Sequence, residues 1–93
     1  MIVGFADRRT EDFYNGRRVA AFSGIARTAS RKLDQLDAAT GLRDLARPGN
    51  RLERLKGDRR GQWSIRINDQ WRICFVWGAR TSGPTNVQIV DYH

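Results

Sequence analysis

Two runs of alternating residues, three positions apart, limit the possible folds of this chain more than any other feature. Trp63, Ile65 and Ile67 take alternate positions in the first run, and Trp71, Ile73, Phe75 and Trp77 in the second. A period of two marks a half-buried β-strand, and Asn68-Asp69-Gln70 between the runs reads as a hairpin turn. A three-residue loop sets Ile67 opposite Trp71, Ile65 opposite Ile73 and Trp63 opposite Phe75, so the large apolar residues share one face. A two-residue loop would scatter them over both faces, which a half-buried sheet does not tolerate. The other face then carries Gln62, Ser64 and Arg66 beside Arg72, Cys74 and Val76. Arg66 falls across from Arg72, an unfavourable pairing unless an anion intervenes. A bound phosphate would be a functional counter-ion; Asp58 or Asp91 would be a structural one.

The remaining elements fit around this hairpin. Ile2 to Phe5 reads as a short first strand. Asp7 is a candidate cap for a short helix through about Tyr14, with Asn15-Gly16 as its stop. Ser23 is a candidate cap for a longer helix over roughly 24–39, in which Ile25, Ala29, Leu33 and Leu36 recur at helical spacing. Its solvent side is expected to carry Arg27, Arg31, Lys32 and Asp34. Thr40-Gly41 breaks that helix, Leu42 to Ala46 reads as a further short helical turn, and Pro48-Gly49-Asn50 is a turn. Arg51 to Lys56 is a candidate strand, followed by the loop Gly57 to Gly61. The last strand is expected over about Asn86 to Tyr92. One strand, then helices, then an antiparallel meander makes an α+β fold. Two to three helices cover one face of a sheet of about four to five strands. No repeat or linker divides the chain, so residues 1–93 read as one domain.

Charge narrows the class of partner. The chain has 17 Lys and Arg against 10 Asp and Glu, a net charge of +7, and only Lys32 and Lys56 of the cations are Lys. Arg suits planar, bidentate contacts to phosphate and stacking on bases. A polyanion is the expected partner, nucleic acid before an acidic protein. The single Cys74 excludes an internal disulfide framework and fits a reducing compartment. One Cys and one His are too few for a zinc site of the usual kind, and no cofactor is expected. Asp7, Arg8 and Arg9 follow the opening apolar residues at once, so no signal peptide is expected, and no apolar stretch reaches membrane-spanning length. A cytoplasmic protein with no membrane contact is the resulting expectation.

The run Asp91-Tyr92-His93 sets a carboxylate, a phenol and the only imidazole side by side. Carboxylate and imidazole can move protons near neutral pH. On a basic domain, such a group points to chemistry on RNA. The structural alternative is a tail that merely closes the sheet.

Leu55-Lys56-Gly57-Asp58-Arg59, Gly61, Trp63-Ser64-Ile65, Trp71-Arg72-Ile73 and Asp91-Tyr92-His93 together resemble the HigB toxins of the RelE/ParE superfamily, the toxic halves of type II toxin–antitoxin pairs. The likeness is densest from Leu55 to Ile73 and at the final three residues. It implies a RelE-like fold and a ribosome-dependent endoribonuclease that cuts messenger RNA in the A site of the 70S ribosome without a metal. The message's own 2′-hydroxyl would attack the adjacent phosphate. It also implies a HigA-like antitoxin that neutralises the toxin and carries the pair to its own promoter DNA.

Such cleavage needs a base for the 2′-hydroxyl, cations for the charge developing on phosphorus and an acid for the leaving 5′-oxygen. By resemblance, Lys56 and Arg72 are the cations, Asp91 and His93 are the proton-transfer pair, and Tyr92 stacks on a base or orients the backbone. Strict alternation would put Asp91 and His93 on one face and Tyr92 on the other. Glu53 departs from the family pattern, which has a second histidine there. It could move a proton or orient Lys56. Arg59, Arg60 and Arg66 are candidate RNA contacts, and Arg8 and Arg9 either grip RNA or form a solvated basic face. Trp63 and Trp71 are expected in the core, and Cys74 as a packed strand residue with nothing to activate it. The competing readings are a ParE-like inhibitor of DNA gyrase, a non-catalytic nucleic-acid-binding module, and a toxin whose catalytic set has decayed.

Overall fold

The computed structural model of the chain describes residues 1–92. Asp7 has extended backbone, and its carboxylate accepts the Thr10 N–H at 2.8 Å, which starts helix α1, Arg8–Tyr14. The helix stops at Asn15, and Gly16 takes φ +91°, a left-handed conformation suited to glycine. A 3₁₀ turn, Ala20–Phe22, leads to α2, Ala26–Ala38. Ser23 does not cap α2 as expected. It ends the 3₁₀ turn, and Ile25 begins α2 with no side-chain cap. A second 3₁₀ turn follows at Leu42–Leu45.

The stripe of Ile25, Ala29, Leu33 and Leu36 is buried as its spacing predicts. Lys32 corrects the expectation of a solvated side. It is three residues after Ala29 and four before Leu36, so it falls within that stripe and is only 7% exposed. Its ammonium donates to Asn50 Oδ1. Asn50 in turn donates to Gln35 Oε1 at 3.2 Å and to the Leu45 carbonyl at 3.0 Å, and its own carbonyl accepts the Arg66 N–H at 2.6 Å. One buried amide thereby ties α2 and the Leu42–Leu45 turn to the sheet.

The sheet is an antiparallel meander of β1, Glu53–Arg54, β2, Trp63–Arg66, β3, Trp71–Val76, and β4, Thr85–Asp91, in that spatial order. The hairpin register is the one the apolar pattern demands: Trp63 opposite Phe75, Ile65 opposite Ile73 and Arg66 opposite Arg72. Ile67 donates to the Trp71 carbonyl at 2.9 Å, and Asn68 Oδ1 closes the turn by accepting the N–H groups of Gln70 and Trp71. Between Cys74 and Val76 the register shifts, two residues of β3 standing against three of β4, where Asn86 takes φ +52°.

Two expected strands are reduced. Arg51, at φ +46°, turns the chain, and only Glu53–Arg54 of the candidate 51–56 strand pairs with β2. Ile2 to Phe5 forms one parallel bridge, Phe5 to Val87. Even so, the Val3, Ala6 and Val87 amides donate to Pro84, Val87 and Gly4 carbonyls at 2.8–3.1 Å, so the segment lies along the outer edge of β4. The helices cover one face of the sheet. There Phe22, Leu33, Leu36, Ile65, Ile73, Phe75, Val87 and Ile89 form the core, with Trp63 and Trp71 packed against it. Phe22 meets Trp71 edge-on, with centroids 5.7 Å apart.

Candidate active site

Strand alternation places the polar partners of that core on the helix-free face. Glu53 stands beside Ser64, Ser64 beside Cys74 and Cys74 beside Gln88, while Arg72 lies between Arg66 and Val90. A small apolar patch of Leu55, Cys74, Val90 and Tyr92 supports this face.

Arg72 is its centre. Nη1 donates to Ser64 Oγ at 2.6 Å and to Glu53 Oε1 at 3.1 Å, Nη2 reaches the Arg51 carbonyl at 3.5 Å, and the guanidinium carbon lies 5.8 Å from the centroid of the Tyr92 ring. The Arg72 side chain is 12% exposed and that of Glu53 is 56% exposed, so a rigid cation lies beneath a mostly solvated carboxylate. A planar guanidinium anchored in this way has the charge and fork geometry that suit a phosphate oxygen.

The clash between Arg66 and Arg72 is relieved by a separate carboxylate on each. Arg66 pairs with Asp69 in the hairpin turn, and Arg72 pairs with Glu53. Glu53 therefore turns to Arg72 and not to Lys56. Lys56 follows Leu55 of the apolar patch and stands exposed where a 3₁₀ turn, Gly57–Arg59, begins. Arg59 is half-buried and donates to Gln62 at 3.1 Å and to Gln88 at 3.4 Å; Arg60 is exposed. Gln88 extends this chain of bonds to the Asp7 carboxylate at 3.2 Å.

Tyr92 is half-buried on the Arg72 face. Asp91 is not there: it stands opposite Trp71, and its carboxylate accepts from Gln70 Nε2 at 2.9 Å. His93 lies outside the described residues. Arg8 pairs with Asp12 on its own helix, and Arg9 lies over the Phe22 ring at 5.1 Å; among the described residues neither joins the Arg72 cluster.

Cys74 is fully buried, and burial pushes its thiol above the ordinary range despite the opposing pull of Arg59 and Arg72. That environment disfavours a thiolate nucleophile. Ser64, 0% exposed, and the Arg51 carbonyl were not anticipated as part of the site. Alternation already put Ser64 beside Arg66 and Arg72, and a small polar residue in mid-strand facing two arginines was the available signal. Among the described residues no cluster of three or more His, Cys, Asp or Glu could hold a metal, and no helix is long and apolar enough to cross a membrane.

The chain is similar to known proteins in sequence and in fold. The family model for the HigB-like toxin, described as the RelE-like toxin of the type II toxin–antitoxin system HigB, matches residues 3–93. Toxin HigB-1 of Vibrio cholerae is 42% identical over 80 residues, covering 83% of this chain and 84% of the relative. Endoribonuclease HigB of Proteus vulgaris is 46% identical over 62 residues, covering 67% of this chain and 65% of the relative. The solved YoeB–YefM complex from Staphylococcus aureus contains the same fold, with a TM-score of 0.61 at 15% identity, covering 100% of this chain and 98% of that one. With a family match over nearly its whole length and relatives 42% and 46% identical, the chain belongs to the HigB-like toxins of type II toxin–antitoxin systems.

Proposed function

We propose that this toxin is a ribosome-dependent endoribonuclease, acting as one domain over residues 1–93, that cuts messenger RNA in the ribosomal A site. The observation that carries the reading is Arg72, fixed by Ser64, Arg51 and Tyr92 on the helix-free face and paired there with the solvated carboxylate of Glu53. Residues 51–72 hold seven of the cations against three acids, so the surface around Arg72 attracts a phosphate backbone. The Proteus relative is named an endoribonuclease.

In this reading the message's 2′-hydroxyl attacks the adjacent phosphorus, and the 5′-oxygen leaves with a proton. The products are a 2′,3′-cyclic phosphate and a free 5′-hydroxyl. Arg72 and the exposed Lys56 stabilise the charge that develops on phosphorus. Tyr92 offers its ring to a base and His93 carries proton transfer, while Asp91, held by Gln70 opposite Trp71, fixes the end of β4. Arg59, Arg60 and Arg66 hold the backbone, and Arg8 and Arg9 extend the grip on ribosomal RNA. The partners are the 70S ribosome with its message, a HigA-like antitoxin and, through that antitoxin, promoter DNA. The toxin acts in the cytoplasm.

The test is cleavage of a defined message with and without 70S ribosomes holding it in register, with new 5′ ends mapped. Cuts in A-site codons only with ribosomes, lost in Lys56→Ala and His93→Ala, are expected. Cuts on naked RNA would make the protein a free ribonuclease. No cuts from folded protein that still arrests growth would overturn the nuclease reading and favour gyrase as the target.

A further inference from the structure

Arg72 already has an anion before any RNA arrives. Its contacts with Ser64, the Arg51 carbonyl and the Tyr92 ring are neutral, and only Glu53 brings charge. The pair is also lopsided. The arginine is 12% exposed and held on three other sides, whereas the carboxylate is 56% exposed and stands on a two-residue strand at the edge of the sheet. If a second anion competes for Nη1, Glu53 is the partner free to leave. Its Oε1 is directed at the cation, where a phosphate oxygen would sit, and not away from it toward an attacking hydroxyl.

We propose that Glu53 is a built-in substitute for the substrate phosphate. It keeps the Arg72 guanidinium in its working orientation in the empty toxin and must be displaced when RNA docks, so it sets the affinity for RNA and does not carry a proton. The inference rests on the nuclease reading of the face, but it concerns binding and is tested apart from cleavage. A neutral Arg72–Glu53 pair cancels no phosphate charge on balance. Removing the carboxylate alone frees one cation for the backbone. For single strands, each phosphate neutralised adds roughly 0.7 to the slope of log affinity against log salt.

The experiment is fluorescence anisotropy with a labelled 2′-O-methyl RNA oligonucleotide, which offers phosphates but cannot be cut. It is run across a sodium chloride series with the intact protein and with E53Q, R72Q and the double variant. Circular dichroism checks each fold. E53Q is expected to bind roughly two- to fivefold tighter, the factor an exposed ion pair can withhold, with a salt slope steeper by about 0.7. In the R72Q background the same substitution should change neither quantity. Equal or weaker binding by E53Q, or an undiminished effect without Arg72, would overturn the proposal. If the ribosomal assay shows no cleavage while this cycle behaves as expected, the nuclease reading fails and the phosphate substitute stands.

Discussion

Replacing Asn50 by Ala would test whether one buried amide holds the helical layer to the sheet. Asn50 is 1% exposed. It accepts the Lys32 ammonium and donates to Gln35 and to the Leu45 carbonyl. Alanine removes one hydrogen bond from a charged donor, worth roughly 1.5–3 kcal/mol, and two neutral ones at about 1 kcal/mol each. It also strands a cation in the helix–sheet junction, where breaking a buried charged contact costs about 3–5 kcal/mol in all. A loss of about 4 kcal/mol is expected, against a total stability of roughly 5–14 kcal/mol for a domain this long. Urea unfolding followed by tryptophan fluorescence would show it. With a slope of roughly 1–1.5 kcal/mol/M, the midpoint should fall by about 3 M. Adding Lys32→Met to Asn50→Ala should recover at least about 1 kcal/mol, because the stranded charge is gone. A loss under about 1.5 kcal/mol for Asn50→Ala, or a further fall on adding Lys32→Met, would refute the reasoning.

Burial, followed by the charges of Arg31, Arg66 and Arg47, holds Lys32 below its ordinary value of 10.5. Below its folded value both states are protonated and the burial penalty is complete; as pH rises from there toward 10.5, the native state loses the proton first and stability rises. The stability difference between Lys32→Met and the parent should therefore narrow or reverse over that interval, as urea midpoints at stepped pH would show. Arg72→Lys keeps the charge but cannot bond Ser64, Glu53 and the Arg51 carbonyl at once, and kcat/KM on programmed ribosomes should fall about 100- to 1000-fold. Unchanged cleavage would remove Arg72 from its role. Asp7→Ala deletes the α1 cap and the anchor of Gln88. At about 1 kcal/mol for the cap it should lower Tm by roughly 4–8 °C in calorimetry, and an unchanged Tm would mean the cap contributes nothing.

What could be read from the residues was whatever repeats locally. The hairpin register followed from alternation alone, because a one-residue slip would turn Ile65, Ile73 and Phe75 to solvent. The α1 cap followed from Asp7 ahead of a short run stopped by Asn15-Gly16. What escaped depended on contacts across long separations. Lys32 was placed on the solvent side by its charge, although its spacing from Ala29 and Leu36 put it inside, and only Asn50, 18 positions on, makes that burial tolerable. Ser23 has the chemistry of a cap, but Phe22 enters the core first and makes Ser23 the close of another turn. Glu53 reads as a proton carrier or a partner for Lys56 until the strands pair, which brings Arg72 to it from 19 positions away. The separation of Asp91 from Tyr92, by contrast, was legible, because alternation already sets neighbours on opposite faces of a strand.

The fastening of β4 has a kinetic consequence. Ile89 donates to Thr10 Oγ1, Gln88 to Asp7, and Val87 bridges Phe5, spans of about eighty residues. Closing loops of that size comes after local structure, because chain entropy opposes it until many contacts form together. The helices and the 63–76 hairpin can assemble early, but Val90 and Tyr92 reach the Arg72 face only when β4 docks between β3 and the amino-terminal segment. A partly folded toxin would thus carry its arginine without the ring and apolar patch beside it. The RNA-facing surface would then appear in one cooperative step, so refolding yield could be read directly from recovered activity.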